Sequence, residues 1–205
     1  VCFTGQVGTT FIGKDAFQEA DITGITLPIT KHNYLIERTE DVAGIVKEAF
    51  YVARTNRPGP VVVDLPKDVM ERTIEYEPAQ ADVNIRGYRV MRGYNNGQVI
   101  NAVELIKKAQ RPVIYAGGGV IASNAAMELR ELAERRKIPV ASTLMALGSF
   151  PSLHYLSLGM LGMHGTRYAN YAMGESDLII AVGVRFDDRV TGKLEGFAPN
   201  ARIIH

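Results

Sequence analysis

The sequence predicts an α/β fold built on parallel sheets, in two successive domains of one 205-residue chain. Three observations predict it. Continuous apolar runs such as Val61-Val62-Val63 and Leu178-Ile179-Ile180 suit strands buried on both faces, as parallel strands are. Between such runs lie segments whose apolar residues recur at the spacing of a helix with one buried face. Strand and helix alternate, which implies helices on both faces of the sheet and right-handed crossovers.

The first domain is expected over residues 1–76. Val1-Cys2-Phe3 reads as a strand already under way, followed by the turn Thr4-Gly5-Gln6. A helix is expected near residues 15–20 and a clearer one over 40–53, where Val42, Ile45, Val46, Ala49, Phe50 and Ala53 share a face. Thr39 can cap it, and Glu40 and Asp41 suit the positive end of its dipole. Arg57-Pro58-Gly59-Pro60 ends it. Val61-Val62-Val63-Asp64-Leu65 is then a buried strand. Residues 77–97 read as an interdomain linker, polar and without period, with Pro78, Gly87, Gly93 and Gly97. Its tyrosines and Ile85, Val90 and Met91 place it against protein surface.

The second domain is expected over residues 98–205. Val99, Ile100, Val103 and Ile106 mark a helix, and Pro112-Val113-Ile114-Tyr115-Ala116 a strand. A helix over 124–136 with Leu129, Leu132 and Ala133 on one face leads to a strand over 138–142. After a long loop come a helix around 166–173, a strand over 178–184 and a last strand from Ala201. Ile203-Ile204-His205 reads as a strand under way, so both ends are expected to be cuts through a larger fold.

Composition narrows the function. The chain is 46% hydrophobic and 22% charged, ordinary for a globular protein. Lys and Arg number 23 against 22 Asp and Glu, which leaves no electrostatic footprint for nucleic acid or an anionic membrane. Arg135-Arg136-Lys137 reads as a solvated helix end. Cys2 stands alone, so no intrachain disulfide forms and a reducing compartment is expected. Its apolar run suggests an inert core thiol. No apolar stretch approaches the roughly 18 residues of a membrane span, and no zinc-ligand spacing, nucleophile elbow or Walker motif occurs.

Three segments could carry chemistry. Gly117, Gly118 and Gly119, with Val120-Ile121-Ala122, fit a loose dinucleotide-binding turn between strand and helix. The nicotinamide fingerprint also needs an acid about 20 residues on, and Ala141-Ser142-Thr143 has none. A tight turn with no ligand fits the glycines equally. Arg185-Phe186-Asp187-Asp188-Arg189 follows a strand, where open sheets bind ligands. Its arginines suit phosphate or carboxylate and its acids a metal, a ribose or the arginines themselves. A surface ion-pair cluster is the other reading. Met163-His164-Gly165 precedes a helix, and His164 could ligate, catalyse or cap. Gln6, Phe17, Gln18 and Lys67 would not be singled out by chemistry alone.

Taken in order, Thr4-Gly5-Gln6-Val7, Ile12-Gly13-Lys14-Asp15-Ala16-Phe17-Gln18-Glu19, Thr30-Lys31-His32-Asn33-Tyr34, Arg57-Pro58-Gly59-Pro60, Asp64-Leu65-Pro66-Lys67-Asp68, Leu161-Gly162-Met163-His164-Gly165-Thr166 and Arg185-Phe186-Asp187-Asp188-Arg189-Val190-Thr191-Gly192 resemble the acetohydroxyacid (acetolactate) synthase family of thiamine-diphosphate enzymes. The resemblance covers essentially the whole chain. The Arg-Pro-Gly-Pro turn is shared among thiamine-diphosphate enzymes, whereas Asp-Ala-Phe-Gln-Glu and Arg-Phe-Asp-Asp-Arg-Val-Thr-Gly are more specific to this synthase.

The resemblance implies the C-terminal half of a thiamine-pyrimidine-binding α/β domain, followed by a Rossmann-like central domain that binds FAD. It implies Gln6 as an active-site glutamine near the thiamine, and Phe17, Gln18, Lys67, Met163, Asp188 and Arg189 as substrate-channel residues. FAD contacts would come from Arg57, from Gly117, Gly118 and Gly119 on the phosphate side, and from His164, Gly165, Thr166, Gly183, Val184, Arg185 and Asp187. Gly8, where many relatives carry Pro or Ala, should loosen the channel loop. The implied cofactors are thiamine diphosphate, Mg2+ and FAD. In the implied reaction pyruvate loses carbon dioxide and its hydroxyethyl unit joins pyruvate or 2-ketobutyrate, in branched-chain amino-acid biosynthesis. A homodimer or homotetramer, a regulatory small subunit and a cytoplasmic location (in a bacterium) go with it. The activating glutamate and the metal motif of the family are expected outside this chain, so the 205 residues alone should be inactive. Another thiamine-diphosphate carboligase or decarboxylase, and a non-catalytic FAD- or nucleotide-binding module, are the competing readings.

Overall fold

The computed structural model describes residues 1–76, 82–90 and 93–205. The chain forms two compact units, Val1–Gly93 and Tyr94–His205.

The first unit holds β1 (Cys2–Gln6), α1 (Ile22–Thr26), β2 (His32–Leu35), α2 (Val42–Arg54), β3 (Val61–Pro66) and α3 (Lys67–Glu71). Its sheet is parallel in the order β1-β3-β2. The run Val61-Val62-Val63-Asp64 is buried because β3 is the middle strand. Val61 and Val63 face a core of Ile36, Ala49, Val52 and Val69, with Ile45 and Ala53 of α2 against it. Asp64 lies on the opposite face, since side chains alternate along a strand.

Several expectations change here. No helix forms over residues 15–20. Asp15 and Gln18 take positive φ angles of 56° and 65°, which a right-handed helix does not allow. The Glu19 carboxylate instead accepts from the Gly13 and Ala16 N–H groups and closes a turn. The helix starts later, where Asp21 caps α1 through the Gly24 N–H at 2.8 Å. Thr39 does not cap α2. A short 3-10 turn, Thr39–Asp41, precedes the helix, and the buried Thr39 hydroxyl donates to the Val69 carbonyl at 3.0 Å. Glu40 and Asp41 do occupy that first turn. Phe50 is exposed, because one residue past Ala49 is about 100° around the helix. Cys2 is exposed too: β1 is an edge strand of the sheet among the described residues.

The strand β2 had no apolar run to announce it and owes its form to pairing with β3. Within the expected linker, Ile85 and Tyr88 pack against the first unit's core. The Tyr88 hydroxyl lies 2.8 Å from Thr55 Oγ1. Pro78 and Met91 lie outside the described residues.

The second unit holds α4 (Asn96–Lys108), β4 (Pro112–Ala116), α5 (Gly118–Ala122), α6 (Ala126–Arg136), β5 (Val140–Ser142), β6 (Ser157–Met160), α7 (Arg167–Gly174), β7 (Leu178–Val182), α8 (Asp188–Thr191) and β8 (Arg202–Ile204). Its sheet is parallel in the order β6-β5-β4-β7-β8. Period-two alternation divides β4: Ile114 and Ala116 enter one core with Val120, Leu129 and Ala133, and Val113 and Tyr115 enter the other with Ala169 and Met173. Helices α5 and α6 therefore cover one face and α7 the other.

Asn95 caps α4, accepting from the Gln98 N–H at 3.1 Å. Of its expected stripe only Ile106 reaches the core, beside Leu105 and Ala109. Val99, Ile100 and Val103 are exposed. The basic end of α6 is solvated as expected, with Lys137 closing it in the left-handed conformation at φ 54°. The long loop hides one strand, β6, interrupted by Gly159 at φ 71°.

Candidate functional site

In the second unit the candidate residues gather at the carboxyl ends of the strands. The sheet grows from β4 outward in one direction and then, from β7, in the other. The point between β4 and β7 is where open α/β sheets form a ligand crevice. Gly117, Gly119, Gly183 and Val184 meet there. The Gly117 N–H donates to the Val182 carbonyl and the Gly119 N–H to the Gly183 carbonyl, both at 2.9 Å. A Cβ on Gly117 would lie 2.1 Å from the Gly183 oxygen, and one on Gly183 would lie 2.7 Å from Gly119 Cα. The immediate use of these glycines is the approach of two backbone loops to each other. Gly118 differs, facing the Met145 side chain.

The loop after β6 carries Met163, His164, Gly165 and Thr166. Thr166 caps α7, accepting from the Ala169 N–H at 3.2 Å, and its hydroxyl donates to the Leu158 carbonyl at 2.8 Å. His164 is therefore not the cap. It is exposed, as is Met163. The Met163 N–H donates to the Arg189 carbonyl at 3.0 Å. That bond brings this loop to the segment after β7. Asn170, which sequence reasoning missed, clamps the loop from α7: its Oδ1 accepts from the Gly162 N–H at 3.2 Å and its Nδ2 donates to the Gly162 carbonyl at 3.1 Å. A lone Asn in a helix gives no signal of this.

Asp187 caps α8 through the Arg189 N–H at 3.0 Å and pairs with the Arg185 guanidinium. The Arg189 N–H, then Asp188 and the arginines, hold its carboxyl below the usual carboxylate range. Asp188 and Arg189 stand 3.9 Å apart with exposures of 85% and 73%, so this guanidinium is open to an anion. Beneath the segment Tyr115 is wholly buried, with its ring centroid 5.9 Å from that of Phe186. Its hydroxyl has no partner among the described residues, and burial together with Asp187 pushes its pKa up to about 12. Thr143 Oγ1, just beyond β5, is likewise buried and without a partner among the described residues. Its N–H donates to the Ala116 carbonyl at 2.9 Å, which sets it beside the turn at Gly117. An orphaned hydroxyl next to that turn, with two arginines beyond the neighbouring strand β7, suits a ligand with phosphate and hydroxyl groups. Among the described residues no group of three or more His, Cys, Asp or Glu gathers as a metal site.

The first unit carries the other candidates. Gln6 ends β1, and its Nε2 donates to Asp64 Oδ2 at 3.0 Å and to the Ala20 carbonyl at 2.6 Å. The Val7 N–H donates to Gln6 Oε1 at 2.9 Å. Phe17 is 90% exposed, and Gln18 stands beside it on a strained backbone. Lys67 opens α3 and reaches Glu71 at 3.7 Å. Arg57 is exposed in the turn after α2. The loop after Gly8 meets α3: Asp68 accepts from the Thr9 N–H at 2.8 Å and from its hydroxyl at 2.6 Å. These two bonds hold the Asp68 carboxyl below its usual range, the hydroxyl contributing most.

No helix among the described residues is long and apolar enough to cross a membrane. The chain is similar over its whole length to acetolactate synthases. It is 53% identical to that of Mycobacterium leprae, 50% to the large subunit of Buchnera aphidicola subsp. Schizaphis graminum and 52% to a probable large subunit of Methanocaldococcus jannaschii. It covers 33%, 36% and 35% of those proteins, about a third of their length. Residues 99–205 match the model described as thiamine pyrophosphate enzyme, central domain. With the five-stranded parallel sheet and the glycine turns at its strand ends, that match makes this chain a member of the thiamine pyrophosphate enzyme family.

Proposed function

We propose that the intact protein is an acetolactate synthase large subunit. It would decarboxylate pyruvate and join the remaining two-carbon unit to a second 2-ketoacid, pyruvate or 2-ketobutyrate, in branched-chain amino-acid biosynthesis. The observation that carries this reading is identity of 53% to an acetolactate synthase across both units, so that both groups of candidate residues lie inside the match. Residues 1–76 then belong to the pyrimidine-binding domain, 77–97 to a linker and 98–205 to the FAD-binding domain.

Thiamine diphosphate, when bound, supplies the electron sink for the decarboxylation. This chain's residues bind and orient. Arg189 presents a guanidinium whose nearest carboxylate stands 3.9 Å away, free to hold a 2-ketoacid carboxylate by two hydrogen bonds. In the first unit Phe17, Gln18 and Lys67, and in the second Met163 and Asp188, are the further substrate-channel residues. Gln6 orients the reacting groups near the thiamine. FAD has no net redox change in this reaction and its role is structural. Its contacts are Arg57, the glycines 117–119, His164, Gly165, Thr166, Gly183, Val184, Arg185 and Asp187, and the orphaned Thr143 hydroxyl supports a polar ligand there. No residue of this chain is proposed as a magnesium ligand. A homodimer or homotetramer, a regulatory small subunit and a cytoplasmic location complete the reading.

The intact gene product tests the cofactor side by flavin fluorescence. FAD should quench on binding. His164→Ala should weaken binding by about tenfold, the size of one lost hydrogen bond to a charged group, with an unchanged melting temperature because His164 is exposed. A flat titration of the wild-type protein would remove the flavin site from the account.

A further inference from the structure

We infer that Asp64 is a positioning residue for Gln6, fixing which edge of its amide faces a ligand. This rests on the reading of Gln6 as a ligand-contacting residue. Asp64 is 1% exposed, in the middle strand of the first unit's sheet, on the face away from the α2 core. Thr4 is its register partner on β1, and Gln6, two residues on, projects from the same face. Among the described contacts no cation pairs with this buried carboxylate. Its partners are Thr4 Oγ1, which donates to Oδ1 at 2.8 Å, and Gln6 Nε2, which donates to Oδ2 at 3.0 Å. A buried charge-bearing group in the centre of a sheet is costly, and a valine in its place would continue the run of Val61, Val62 and Val63. The hydrogen bonds to Gln6 and Thr4 give Asp64 a use that an apolar residue could not serve.

A side-chain amide can present either edge by turning half a circle about its last bond. Here both edges are assigned by partners of one-way chemistry. The Val7 N–H can only donate, and it fixes Oε1. The Asp64 carboxylate and the Ala20 carbonyl accept, and they fix Nε2. Both amide hydrogens are thus in use, but they are not equivalent. The Asp64 bond lies on the buried side, and the Ala20 bond is exposed to solvent. A ligand reaching Gln6 from solvent displaces the Ala20 carbonyl, while Asp64 keeps the amide in plane and its second hydrogen aimed outward. Ala20 directly follows the turn that carries Phe17 and Gln18, which the Glu19 N–H closes by donating to the Ala16 carbonyl at 2.9 Å, so the same exchange couples ligand contact to that loop.

The test is kinetic, on the intact enzyme, with kcat and KM for pyruvate measured in single and double variants. Asp64→Ser is too short to reach Gln6. It should lower kcat/KM by about tenfold or more when Gln6 is present and by less than about twofold when Gln6→Ala is already made, the non-additivity of a residue acting through another. Asp64→Asn should recover most of the loss. Its carbonyl can take the Gln6 hydrogen, while the Thr4 hydroxyl turns to accept from its amide. Equal losses in both backgrounds would mean a merely structural role and overturn the proposal. An unchanged kcat and KM in Gln6→Ala would instead overturn the role of Gln6 itself, and the positioning claim with it. Should Asp64→Ser not fold, melting temperatures decide. Gln6→Glu sets two carboxylates face to face and should lower the melting temperature. Adding Asp64→Asn should raise it again, and no recovery would overturn the Gln6–Asp64 contact.

Discussion

Tyr115 illustrates how a single side chain can be placed well and satisfied poorly. Its ring fills the second unit's core, but its hydroxyl is buried without a partner among the described residues. Leaving such a group unpaired costs about 1–3 kcal/mol. Tyr115→Phe should therefore be neutral or raise stability by about 1 kcal/mol, read as a higher melting temperature of the intact protein. The alkaline limb gives a second readout. The folded-state pKa of about 12 stands above the ordinary tyrosine value of about 10. The folded state then holds the proton that the unfolded state has lost, so the contribution is complete below about pH 10 and disappears as pH rises towards 12. Tyr34, also pushed up to about 12, acts in the same window, so Tyr115→Phe should shallow the slope there without abolishing it. None of this was legible in Pro112-Val113-Ile114-Tyr115-Ala116. The sequence marks a strand, but the partner of a hydroxyl depends on what the neighbouring loops bring.

At the scale of elements, glycines that look alike in sequence differ in consequence. Gly44 lies inside α2 with nothing near its missing Cβ. Gly44→Ala should stabilise by about 1 kcal/mol through helix propensity alone. Gly183 has φ +59°, and a Cβ there would meet the backbone of Gly119 and Val120 at 2.7 Å. Gly183→Ala should cost about 3 kcal/mol or more, since no flexible side chain can give way. Thr166→Ala removes the cap of α7 and should cost about 1 kcal/mol. Chemical denaturation of the three variants would rank them in that order: Gly44→Ala above wild type, Thr166→Ala below it and Gly183→Ala lowest. The strands and long helices were legible because the runs in β3, β4 and β7 are continuous and the stripe of α2 is periodic. The helix expected over 15–20 failed where local turn chemistry at Asp15, Gln18 and Glu19 overrode composition. Strands β2 and β6 were invisible because pairing, not propensity, makes them. The loose glycine pattern was legible, but its first use, packing turn against turn, emerged only with the distances.

In the whole molecule, one unit carries Gln6, Phe17, Gln18 and Lys67 and the other carries the strand-end loops with Arg189. In the proposed function each group serves a thiamine-diphosphate enzyme that joins 2-ketoacids. The motif strings, read in order along the chain, pointed to this family more specifically than the parallel sheets could, because many chemistries share such sheets. What the motifs could not reveal was the support behind them: Asp64 behind Gln6, Asn170 behind Gly162, and Asp187 at the start of α8. Such partners are set by the fold and have no spacing of their own in sequence. The most direct test of the central claim is product identity. The intact gene product should be incubated with isotope-labelled pyruvate, thiamine diphosphate, magnesium and FAD, and followed by nuclear magnetic resonance. The expected product is acetolactate, formed with one carbon dioxide for every two pyruvates consumed, with mixed products when 2-ketobutyrate is added. Acetaldehyde as the sole product, or pyruvate left unconsumed by the fully loaded protein, would contradict it.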